Sequence, residues 1–97
     1  MRNGKPALVF FHSTTCIPCK NMDALIARVR GDYEPAIVFV DVIVTDRANA
    51  DLIRQARIQA IPTTFFVNNA GQGRGIMGGM DEAKLRAELD RLVNGEG

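Results

Sequence analysis

The sequence predicts an α/β fold, a four-stranded mixed sheet flanked by helices in the order β-α-β-α-β-β-α. Three observations carry that prediction. Two short apolar runs, residues 7–11 and 37–44, have the length and β-rich composition of buried strands. Segments with apolar residues at helical spacing separate the strands. A loop rich in Asn and Gly, residues 68–73, has the residue chemistry of a hairpin and precedes the last strand.

The first strand is Ala7-Leu8-Val9-Phe10-Phe11, after Pro6. A polar turn, His12-Ser13-Thr14-Thr15, follows it. Met22, Leu25, Ile26 and Val29 then recur at helical spacing, and Gly31 offers a stop, so a helix is expected at about 17–30. Residues 37–44 give the strongest strand signal in the chain. Thr45-Asp46 can cap a helix near 47–57, with Ala48, Leu52, Ile53 and Ala56 as its buried stripe. Ala60-Ile61-Pro62 breaks that helix, and Thr63-Thr64-Phe65-Phe66-Val67 is the third strand. A short fourth strand is expected at about 74–78. Asp81 caps a final helix with Leu85, Leu89, Leu92 and Val93 on one face, and residues 94–97 read as a frayed tail. Helical connections predict that the first three strands are parallel. The hairpin predicts an antiparallel last strand.

The 97 residues suffice for one domain, with its core at about 5–93. Apolar residues make up 46% and charged residues 24%, an ordinary globular balance. A net charge of +1 supports neither nucleic acid nor an anionic membrane as a partner. No run of 18 apolar residues is present, so no helical span is expected. Met1-Arg2-Asn3-Gly4-Lys5-Pro6 lacks the apolar region of a signal peptide. The compartment stays open between cytoplasmic and extracytoplasmic.

The chemistry lies in Cys16-Ile17-Pro18-Cys19. Disulfide exchange needs one thiolate to attack and a second thiol near enough to resolve the mixed disulfide. Cys16 at the start of a helix meets unpaired N–H groups and the positive end of the macrodipole, both of which favour its anion. Cys19, three residues on, shares its helix face. Pro18 suits a first turn that asks no N–H of it. Lys20 adds a nearby cation, and His12 at the strand end could help deprotonate a thiol. The bland readings are a solvated Lys20 and a structural His12. A zinc site would need about four ligands, and two thiols with His12 do not supply them. No metal, nucleotide or other cofactor is expected.

The segment Cys16-Ile17-Pro18-Cys19-Lys20 resembles the Trp-Cys-Gly-Pro-Cys-Lys motif of thioredoxins, and the resemblance covers about residues 5–93. It implies a thioredoxin-like fold and a thiol–disulfide oxidoreductase, a protein disulfide reductase with Cys16 as nucleophile and Cys19 as resolving thiol. By the same resemblance, Ile61-Pro62-Thr63 is the family's cis-proline loop. With Ile17 and Pro18, these residues would bind a substrate peptide. Lys5-Pro6, residues 42–46, Gly71-Gln72-Gly73 and Gly79-Met80-Asp81 are also similar to the C-terminal domain of DsbD-type reductases, which implies an extracytoplasmic reducing role. Implied partners are a disulfide-bearing protein and an electron-donating reductase or thiol. Two other readings stay open: a redox-inert binding module on the same fold, and a glutaredoxin-like glutathione-dependent reductase.

The departures from the family pattern are specific. Phe10 stands where thioredoxins often carry a buried acid that accepts a proton from the resolving thiol. Proton transfer at Cys19 must then use water or another group. Thr15 replaces the motif tryptophan, and Ile17 its glycine. The usual preceding strand and helix are absent, which leaves the strand at 37–43 as an open apolar edge. Self-association there, or a longer parent protein, is expected. Phe10, Phe11, Phe65 and Phe66 are expected in the core. Met77 and Met80 are expected to pack against the core, and Arg74 to lie on a solvated face.

Overall fold

A computed structural model describes residues 4–95. The elements are β1 (Ala7–His12), α1 (Ile17–Arg30), β2 (Val38–Ile43), a short 3-10 turn (Arg47–Asn49) running into α2 (Ala50–Gln55), β3 (Thr63–Val67), β4 (Gly73–Met77) and α3 (Glu82–Val93). The strands lie in the order β2-β1-β3-β4. The expected element order therefore holds, with boundaries shifted by a residue or two. Glu96 and Gly97 of the expected tail lie outside the described residues.

One expectation about direction is corrected. β1 and β2 are parallel, with Phe10 opposite Asp41, but β3 is antiparallel to β1, with Phe10 opposite Thr64. The reason lies in the connection. A six-residue strand spans about 20 Å, whereas the six residues of α2 rise only about 9 Å. The chain leaves β2, turns at the same end of the sheet, and enters β3 there. β4 then pairs antiparallel with β3, as the hairpin loop predicts. Asn68 organises that loop, its side-chain oxygen accepting from the N–H groups of Ala70 and Gln72 at 3.0 Å each.

Side-chain alternation gives the sheet two unequal faces. Leu8, Phe10 and Phe66 on one face join Cys19, Met22, Leu25, Ile26 and Val29 of α1 and Leu85, Leu89 and Leu92 of α3 in a continuous core. Tyr33 ties the two helices, donating to Asp90 Oδ1 at 2.8 Å. Burial, then that hydrogen bond, pushes its phenol above the ordinary value. Asp81 caps α3 by accepting from the Lys84 N–H at 2.8 Å, a contact worth about 1 kcal/mol.

On the opposite face Phe11 is buried and meets Phe65 edge to face, with ring centroids 5.6 Å apart. Phe65 itself is only half-buried. Its ring covers Gly75, where a Cβ would overlap it, so β4 carries glycine at that point.

Three further burial expectations fail. The stripe on α2 is not buried: Ala48 and Leu52 are exposed, and Ile53 and Ala56 only half-buried. The short α2 sits at the sheet end and covers little of the face. Met77 is 64% exposed and Val93 51%. Met77 lies at the end of the outer strand, and Val93 follows the buried Leu92 by one residue, which turns it off the core face of α3. Arg74 is exposed, as expected. It pairs with Glu88, which is buried and also accepts from Lys84 at 3.0 Å. A buried carboxylate is tolerated only with such partners.

Candidate dithiol site

The site hangs from the end of β1, an inner strand with a neighbour on each side. After His12 the chain turns through Ser13–Thr15 and starts α1 with Cys16 at its N-cap. Cys16 has extended backbone angles, and its sulfur accepts from the Cys19 N–H at 3.2 Å. That N–H is one of the unpaired donors of a helix start. Ile17 and Pro18 fill the first turn, and the Lys20 N–H closes it on the Cys16 carbonyl at 3.1 Å.

Cys16 and Cys19 are joined as a disulfide, with Cα atoms 5.1 Å apart. The two sulfurs sit in different surroundings. Cys16 is partly exposed, while Cys19 is fully buried in the core. The outer sulfur is open to a partner and the inner one is shielded from it. Ile17 at the tip is 71% exposed, and Pro18 and Lys20 are exposed as well.

The register of β1 and β3 pairs Phe11 with Thr63, which sets Ile61 and Pro62 at the same end of the sheet as the cysteines. The Ile61–Pro62 peptide is cis. Pro62 is buried and its carbonyl accepts from the Gly78 N–H at 2.7 Å. The Thr63 hydroxyl donates to the Ala60 carbonyl at 2.6 Å. Cys16, Ile61 and Met80 all pack as partly buried groups against the core. Beside Ile61, an open apolar cleft of about 220 Å³ is lined by Val44, Ile53, Ile58, Gln59 and Ala60.

On the other side of the pair, His12, Ser13, Thr14, Cys19, Lys20 and Asp23 line a cleft of about 210 Å³. His12 stacks on Phe10, ring centroids 4.5 Å apart and 12° from coplanar. Asp23 escaped the sequence reading. Its signal is there: it follows Cys19 by four residues and so shares its helix face.

Family comparison agrees with this geometry. The Thioredoxin family profile matches residues 1–91. The chain belongs to the thioredoxin family. Among its thioredoxin relatives, thiol:disulfide interchange protein TxlA of Synechococcus elongatus is 28% identical over 95 residues, 97% of this chain and 50% of TxlA. Thioredoxin H5 of Oryza sativa subsp. japonica is 34% identical over 90 residues, 93% of this chain and 64% of the rice protein. The chain thus spans between about half and two thirds of these relatives' length. The crystal structure of chloroplastic thioredoxin z superposes with a TM-score of 0.83 at 23% identity, covering 97% of this chain and 83% of that one. The thioredoxin fold is therefore present, in a four-stranded mixed sheet with three helices.

Proposed function

We propose that this chain is a thiol–disulfide oxidoreductase that reduces disulfides in protein substrates, within one thioredoxin-like domain whose core is residues 5–93. The observation that carries the reading is the asymmetric pair, an open Cys16 at a helix N-terminus bonded to a buried Cys19. In the reduced state the Cys16 thiolate, favoured by the helix end, attacks a substrate disulfide. One substrate thiolate leaves, and a mixed disulfide remains on Cys16. Cys19 then attacks the Cys16 sulfur, the second substrate thiolate leaves, and the Cys16–Cys19 disulfide closes. A reductase or small thiol returns two electrons. The substrate backbone lies along Ile61, Pro62 and Thr63, with apolar side chains against Ile17, Pro18 and Met80.

Equilibration in graded thiol/disulfide buffers, with reduced cysteines counted by alkylation and mass, tests this. The expected result is one reversible two-electron transition near the reducing end of the family's span, closer to about −270 mV than to about −120 mV. The absence of a reversible transition rejects the redox reading in favour of a binding module. A potential near the oxidising end rejects the reductase direction alone.

The finer reading of partners concerns β2. It is an edge strand with half-buried apolar residues Val38, Phe39 and Val40. We infer that a further strand pairs there, from a second copy or from a longer parent chain. Unpaired edges of this composition are pairing sites. Light scattering at high concentration should show self-association of residues 1–97. A monomer whose amides at 38–43 are all protected from hydrogen exchange overturns the inference.

A further inference from the structure

The resolving step needs a place for the Cys19 proton, and the fold does not supply the usual one. Cys19 is fully buried, and Phe10 packs in the same core cluster without any group that can take a proton. His12 lies two residues further along β1, so its side chain is on the same sheet face as Phe10. The Phe10 ring holds it by stacking. Its side chain is 15% exposed, and Nε2 is buried without a hydrogen bond to any described residue. A buried ring nitrogen left open in this way is unusual, because buried polar atoms are nearly always paired. The charged groups around it are Asp41 of β2, with Oδ1 at 3.8 Å from Nε2, and Lys20 and Asp23 of α1 across the shared cleft. β3 contributes the uncharged Thr64, opposite Phe10. The cleft's volume of about 210 Å³ has room for several waters at roughly 30 Å³ each.

We propose that His12 is the proton carrier for Cys19. This rests on the oxidoreductase reading above. As Cys19 attacks, its S–H proton passes through the cleft to the imidazole, the Cys19–Cys16 bond forms, and the Cys16–substrate bond breaks. The leaving substrate thiolate takes the electron pair of that bond and later a proton from solvent. Asp41 stabilises the imidazolium while it lasts. When a donor thiolate reopens the disulfide at Cys16, the proton returns to the Cys19 thiolate. Histidine suits the task because it changes charge between pH 5 and 8.

The test reads the two chemical steps separately with 5,5′-dithiobis(2-nitrobenzoate) on the reduced protein. The first thionitrobenzoate is released when Cys16 attacks the reagent. The second is released when Cys19 resolves the adduct. His12→Phe keeps a ring on Phe10 and removes the titrating nitrogens. His12→Gln keeps polarity without titration and serves as the second variant. Both are expected to slow the second release roughly 10²-fold at pH 7. Both should also move its pH profile upward, with the first release changed far less than the second. An unchanged second step in either folded variant overturns the proposal, as does an equal fall in both steps. A wild-type protein that gives the first release and never the second overturns the oxidoreductase reading, and this proposal with it.

Discussion

Cys16→Ser is expected to abolish disulfide exchange, and Cys19→Ser to stop it one step later. The two cysteines share a bond but not an environment, which is why the outcomes differ. Cys16 is the sulfur a substrate can reach, at the helix N-cap. Without it the turnover of a disulfide substrate should fall by roughly 10³-fold or more, the scale on which losing a nucleophile acts. Cys19 is buried beneath it. Its removal leaves the first attack intact and the mixed disulfide unresolved, so the substrate accumulates as a covalent adduct on Cys16. Turnover assays with intact-mass analysis check both outcomes. A Cys16→Ser protein that still holds its partner, combined with a Cys19→Ser protein that never forms the adduct, would establish a binding module instead. The hydroxyl is close in size to the thiol, so the fold should survive both changes, with a cost of about 1–3 kcal/mol at the buried Cys19 position.

Phe10→Ala is expected to cost about 3–5 kcal/mol of stability, the range for deleting a buried aromatic side chain. Phe10 is fully buried on the central strand. It supports the His12 ring by stacking and faces Asp41 and Thr64 across the two neighbouring strands. Domains of this size have only about 5–15 kcal/mol in total, so the loss is a large share of the whole. Denaturant titration of the oxidised protein measures it as a fall in the transition midpoint. A loss below about 1 kcal/mol would mean that the neighbours collapse into the space.

The sequence made the site legible where local chemistry decides the structure. Cys-x-x-Cys after an apolar run located the helix start, and Asp46 and Asp81 marked their caps by side-chain chemistry alone. The hairpin followed from Asn68 and the glycines after it. What was not legible depends on distance through space. The antiparallel course of β3 follows from how little length α2 provides, and residue periodicity does not report that. The apolar residues of α2 have helical spacing, yet among the described residues no element covers Leu52. His12 stood out by its place at the strand end, but its stacking on Phe10 and its cleft shared with Cys19 exist only after β1 and α1 are packed together. Asp23, by contrast, could have been found from its four-residue offset.

The Arg74–Glu88–Lys84 cluster also bears on how the molecule tolerates damage. β4 is an outer strand, and its residues Gly73, Arg74 and Gly75 are exposed. A full antiparallel ladder holds it to β3, and Arg74 adds a charged clasp onto Glu88 of α3, whose carboxylate Lys84 of the same helix also holds. Such a clasp works in one direction. While closed, it staples the last hairpin and the last helix into one unit. If Arg74 lets go, Glu88 is left as a half-paired charge inside the protein, a costly state. A single break at the rim of the sheet is therefore felt at once by the last hairpin and by the last helix, two elements that no backbone ladder joins.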